Sequence, residues 1–217
     1  MNRQRLSREQ SREQTRERLL AAAHDVFVQK GFAHASVEEI TSAAGYSRGA
    51  FYSNFEDKTE LFFELMDRES AVIESQFREL LEAPMLDPAH LYAQLVDYYS
   101  TLVSKDTSSL LCMDAKIVAL RDEKFRIRLN QFQEERHQQI AGFIEAYARL
   151  TGMTPLAPVD DIAIGLLALC EGVSFAHRCD PQRIDAATGS AVLSYFLRSA
   201  IALPQPFAVP TTTSKKK

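Results

Sequence analysis

Between positions 45 and 58 the sequence reads GYSRGAFYSNFEDK. Arg48 brings a planar fork of donors that fits a guanine edge or a phosphate. Ser47, Gly49 and Ala50 around it are small enough to let a backbone approach a surface, and Tyr52 and Asn54 add polar tips. Phe51 and Phe55 lie four residues apart, so on a helix they share one face and can be buried together. These residue types divide into a packed side and a bare side, and the bare side suits binding rather than turnover.

Such an edge has to be held out by short, steeply crossing helices. Apolar residues Leu19, Ala22, Ala23, Val26 and Phe27 recur at three- and four-residue steps, which predicts a first helix over about 15–32 with Gly31 as its stop. Ser36 with Glu39 three residues on is a capping box for a second helix whose inner face carries Val37, Ile40, Ala43 and Ala44. Gly45 supplies a turn conformation that an L-residue resists. Ser47 caps a third helix to about Phe55, and Asp57 with Glu60 opens a fourth that carries Leu61, Phe62, Leu65 and Met66. Three helix starts so close together give a helix-turn-helix arrangement, with its second helix presented to solvent.

The segment SVEEITSAAGYSRGAFYSNFEDKTELF, within 15–66, resembles the DNA-binding signature of the TetR family of transcriptional regulators. The resemblance rests on the Gly-aromatic-Ser turn, the Tyr52 to Phe55 pair and the Lys that follows. It implies an all-α fold, a three-helix head on a larger C-terminal helical bundle. It further implies that Ser36, Val37 and Glu38 open the supporting helix near the DNA backbone, with Thr41 facing the groove. Ser47, Arg48, Gly49 and Ala50 would then enter the major groove, Tyr52 and Lys58 hold phosphates, and Asn54 add a contact. Thr41 and Tyr46 depart from the small Ala and the Val usual in the family.

Beyond residue 66 the apolar spacing predicts longer helices at 89–104, 109–121, 122–150, 160–177 and 185–203, with Pro84, Pro88, Gly152, Pro155 and Pro158 as breaks. The expected organisation is a flexible basic arm (1–14), the head (15–66), a ligand-binding and dimerisation bundle (67–204) and a disordered tail (205–217). Charge is uneven: residues 1–18 carry +3 while the whole chain carries −4, so a basic arm precedes an acidic body, as local attachment to a polyanion requires. In the bundle, aromatic and Met residues are ordinary core by themselves. The resemblance implies a pocket there for a small, largely apolar effector, with Phe62, Met66, Tyr98, Met113, Asp114, Lys116 and Glu171 as candidates.

The last two helices mix large apolar residues with Gly, Ala and Ser. By resemblance they form a homodimer interface, and Leu167, Val173, Ala191, Tyr195 and Arg198 are its candidate residues. A two-fold dimer implies a pseudo-palindromic double-stranded DNA operator. The sequence carries no HExxH, glycine-rich phosphate loop or CxxC, and Cys112, Cys170 and Cys179 fit neither a zinc site nor a disulfide framework. No enzyme, metal or cofactor is expected. No stretch matches a secretory signal or membrane span, which points to a cytoplasmic protein without membrane partners. The reading is a ligand-responsive DNA-binding repressor. The rival is a helical small-molecule or protein-binding module whose head no longer binds DNA.

Overall fold

The computed structural model describes residues 7–82, 93–94 and 108–200, and these carry no strand. Tyr98, the predicted helix at 89–104 as a unit, the first residues of the arm and the tail at 205–217 lie outside the described residues. The helices are α1 (Arg8–Lys30), α2 (Val37–Ala44), α3 (Arg48–Tyr52), α4 (Lys58–Glu82), α5 (Ser108–Ala119), α6 (Glu123–Thr151), α7 (Val159–Cys179) and α8 (Ala186–Ala200).

Helix α1 starts well before the expected position. Ser7 accepts from the Gln10 amide at 3.1 Å while the Gln10 side chain accepts from the Ser7 amide at 2.9 Å, a complete capping box. Half of the expected arm is therefore helical, from Arg8 onward. Its Arg16 turns inward: Nε donates to Glu64 at 2.8 Å, Nη1 donates to the Asn54 carbonyl, and the guanidinium lies 4.2 Å from the Phe55 ring. This arginine belongs to the packing between α1, α3 and α4.

Among the described residues, two hydrophobic cores run through the molecule. The first joins Leu19, Phe27, Ile40, Phe51, Phe55, Phe62 and Met66 of the head to Leu111 and Ala115 of α5 and Phe125, Leu129 and Phe132 of α6. Head and body thus share one core, and residue 66 is not a gap in the packing. The second core gathers Phe77, Ile144, Tyr147, Ile162, Leu166, Leu193 and Leu197 from α4, α6, α7 and α8. Helix α6 contributes to both cores, and so does helix α4. The 25 residues of α4 begin under the head and end in the body, and at about 1.5 Å per residue the span approaches 40 Å.

A second tie crosses from body to head. The Asp114 carboxylate on α5 accepts from the Phe32 amide, in the turn between α1 and α2. Gly31 in that turn has φ 77° and ψ 158°, a region open essentially only to glycine, and a Cβ there would stand 3.1 Å from Asp114. The turn can take this form against α5 because position 31 has no side chain.

Candidate nucleic-acid interface and body cavity

Helix α2 is fixed at its start by Ser36, whose Oγ accepts from the Glu39 amide at 3.2 Å while the Glu39 carboxylate accepts from the Ser36 amide at 3.0 Å. Lys30 pairs with the same carboxylate, and chiefly for that reason Glu39 titrates far below its ordinary value of 4.5, at about 2. A depressed carboxylate contributes stability that is present above its unfolded value and lost as pH falls through its folded value. The stability gap between the parent protein and Glu39→Gln is accordingly expected to be constant near neutrality and to close between pH 4.5 and about 2, as urea midpoints across that range will measure.

Gly45 then takes φ 73° and ψ 30°, the left-handed conformation that turns the chain, and Ser47 caps α3 by accepting from the Ala50 amide at 3.2 Å. Phe51 and Phe55 are fully buried and anchor α3 from below. Their burial leaves Ser47, Arg48, Gly49, Tyr52 and Ser53 exposed on one continuous edge, with Ala50 half-buried beside them. On α2 the same side exposes Glu38, Ser42 and Ala43. The Arg48 guanidinium lies 2.6 Å from Glu38 and 3.5 Å from the Tyr52 hydroxyl, so the fork is pre-oriented along the edge. Both members of the Arg48–Glu38 pair are more than half exposed, and solvent screening makes a pair of that kind weak, little hindrance to a competing phosphate or base.

In the body, α4, α6, α7 and α8 line a partly open cavity of about 200 Å³. Ile73, Phe77, Phe143, Tyr147, Leu166 and Leu197 make its walls, and Ser70, Glu74, Arg136 and Gln139 its polar rim. Phe77 and Phe143 meet there with ring centroids 4.5 Å apart. Lys116 and Glu171, joined as an ion pair, line a separate cleft with Leu167 and His137.

Residues 19–65 match the family described as bacterial regulatory proteins, tetR family. The head is a TetR-family head. Among curated proteins, the repressor BepR of Brucella suis is 32% identical over 83 residues, which cover 38% of this chain and 40% of BepR. Other curated relatives are likewise matched over only part of their length, 60% and 27% in two cases. The fold extends further. Reduced NemR of E. coli superposes with a TM-score of 0.68 at 21% identity, covering 88% of this chain and all of NemR. The triclosan complex of SmeT, the repressor of the Stenotrophomonas maltophilia efflux pump SmeDEF, gives a TM-score of 0.65 at 22% identity over 94% of this chain and 99% of SmeT.

Within this TetR head the edge residues Ser47, Arg48, Gly49 and Tyr52 stand where a duplex can reach them, and Ser36 and Val37 are half-buried at the start of α2. Three expected contacts are placed elsewhere. Thr41 is buried, and its hydroxyl donates to the Glu38 carbonyl at 3.1 Å; together with Val37, Ile40 and Ala44 it completes the inward i, i+3, i+4, i+7 set. Asn54 is buried and its side-chain amide donates to the Ala50 carbonyl at 2.8 Å, closing the end of α3. The Lys58 ammonium donates to the carbonyls of Phe32 and Ala35 at 2.6 and 2.7 Å, so it braces the α1–α2 turn from inside.

Apart from Tyr98, which lies outside the described residues, the expected effector residues also fall outside the lining of the apolar cavity. Phe62 and Met66 are sealed in the first core, Met113 is half-buried on α5, Asp114 holds the head, and Lys116 and Glu171 hold each other. Of the expected dimer residues, Leu167 and Val173 are buried within the subunit, whereas Ala191, Tyr195 and Arg198 are exposed. Sequence reasoning missed the cavity rim, above all Arg136, and the exposed Ile164, Phe175 and Val192 on α7 and α8. Among the described residues no cluster of His, Cys, Asp and Glu could hold a metal ion, and no helix is long and apolar enough to cross a membrane.

Proposed function

We propose that the chain is a sequence-specific DNA-binding transcriptional regulator that acts as a homodimer on a pseudo-palindromic operator and releases it when a small effector fills the body cavity. The observation that carries this reading is the exposed Ser47 to Tyr52 edge, held outward by the buried Phe51 and Phe55. Arg48 reads bases, and Tyr52 with the edge hydroxyls meets phosphates. Turnover has no part in the reading.

The homodimer is supported by an unpartnered face on the last two helices. Ile164, Ala168, Gly172 and Phe175 follow one another along α7 at three- and four-residue steps, and Ala191, Val192 and Tyr195 continue the face on α8; all are exposed in the single chain. A two-fold pairing through such a face sets two heads side by side, and a DNA turn asks that the two edges stand about 34–36 Å apart.

Effector control follows from α4 and α5. Filling the cavity pushes on Ile73 and Phe77, and the same rigid helix carries Leu61 and Phe62 under the head. Asp114 transmits any shift of α5 to the Phe32 amide. Release requires the effector to bind the DNA-incompetent spacing better than the competent one, since equal affinity shifts nothing. The SmeT complex with triclosan supports a small-molecule site in this fold.

The test is a gel shift on duplex DNA from the region flanking the gene. Arg48→Ala is expected to weaken specific binding by about tenfold or more, within the 1–3 kcal/mol of one bidentate base contact, and to leave non-specific binding nearly unchanged. Glu38→Gln removes both the competitor for Arg48 and a charge that repels phosphate, so it should strengthen binding. No shift by the parent protein at low salt gives the case to a helical binding module with an inactive head, and an unaltered specific shift in Arg48→Ala removes Arg48 as the reader of bases.

A further inference from the structure

The rim of the body cavity carries a cation with unused bonding capacity. Arg136 projects from α6 between the apolar cavity and two neighbouring clefts, half-buried, with its guanidinium 5.7 Å from the Phe132 ring. A guanidinium has five N–H donors and keeps its charge at any accessible pH. Among the described residues one of those donors is engaged, by the Cys112 sulfur at 3.6 Å, a weak acceptor. No carboxylate of the described residues lies at ion-pair distance. Glu74 on the same rim is held by Arg78 at 2.6 Å, Glu171 by Lys116, and Asp67 and Glu135 line the neighbouring cleft without pairing to Arg136.

A planar fork with spare donors beside an apolar chamber matches one ligand chemistry, a bidentate anion attached to a hydrophobic body. We propose that the cavity takes amphipathic organic acids, with the carboxylate on Arg136 and an aromatic or aliphatic body against Phe77, Phe143, Tyr147 and Leu166. This deepens the reading of the cavity as an effector site and rests on that part of it, but not on DNA binding. Neutral apolar compounds fill the same walls and leave the fork unused, and ammonium compounds meet a like charge at the rim.

Calorimetric titration of the full chain with naphthalene-2-carboxylate, its carboxamide and naphthalen-2-ylmethylammonium tests the assignment. The carboxylate is expected to bind about tenfold tighter than the carboxamide, with the ammonium compound weakest. Arg136→Met should bring the carboxylate down to the carboxamide's affinity while leaving the carboxamide unchanged, which also shows that the cavity is intact, and Arg136→Lys should recover part of the preference. Equal or tighter binding of the carboxamide or ammonium compound overturns the proposal. So does a carboxylate preference that survives Arg136→Met, or the failure of all three to bind. The gel shift is read separately: acid selectivity without a DNA complex sinks the regulator reading alone, and a DNA complex without acid binding sinks this inference alone.

Discussion

Phe62→Ala is expected to cost about 3–5 kcal/mol of unfolding free energy, the range of large aromatic truncations in close-packed cores. Phe62 has no exposed surface, and its ring centroid lies 5.0 Å from Phe32, 5.5 Å from Phe27 and Phe63, and 5.8 Å from Phe125. Those partners come from α1, the α1–α2 turn, α4 and α6, so the cavity left by truncation opens where head and body meet. Each well-oriented aromatic pair adds about 0.5–1.5 kcal/mol beyond its buried area, which places the cost toward the upper end. Urea unfolding followed by circular dichroism should show a lower midpoint. Titration with the naphthalene compounds, at a temperature where the variant is folded, should show unchanged affinities. A variant that stays stable but loses ligand would return Phe62 to the pocket wall where the family resemblance had put it.

The contrast between Phe62 and Phe77 shows what the sequence does and does not encode legibly. Both are aromatic residues on the inner stripe of α4, and periodicity assigns both to the interior. Whether an inward ring meets four other rings or one side of a cavity depends on helices far along the chain. Caps are different, because both partners lie within three residues. Ser36 with Glu39, the Ser47 cap and the Gly45 turn were all readable, and each stands as its spacing requires. The same logic applies to SREQ at Ser7–Gln10, a capping box that marks the start of α1 and that the polar composition of the segment obscured.

Long polar side chains are the least legible class, since their heads can travel to either side of the backbone that carries them. Arg16 was one charge of a basic arm in the sequence and is a packing residue over Phe55 in the fold, joined to Glu64 across 48 positions. Arg136 gave no local sign of its place at the rim of three cavities. Thr41 was closer to readable: the spacing Val37, Ile40, Thr41, Ala44 puts it inward, and only the resemblance turned it toward the groove.

Lys58→Met is expected to lower stability by about 2–4 kcal/mol and to leave the salt dependence of DNA binding unchanged. Hydrogen bonds to a charged group are worth about 1.5–3 kcal/mol each, and truncation strands both acceptors, the carbonyls of the buried Phe32 and Ala35. The ammonium also stands 4.4 Å from the Phe32 ring, a cation–π contact that Met cannot replace. Partial exposure of the lysine keeps the total below the plain sum of two such bonds. Burial pushes the Lys58 ammonium below its ordinary value, the mark of a group drawn out of solvent, with Asp114 and Glu39 partly compensating. A phosphate ligand behaves otherwise. Its removal lowers the slope of log affinity against log salt by about 0.9 for the lost contact and leaves the unfolding midpoint in place. Measuring both quantities on one preparation separates the two roles: a lowered midpoint at constant slope makes Lys58 the inner brace of the α1–α2 turn, and a reduced slope at constant midpoint makes it a phosphate clamp that swings outward on binding.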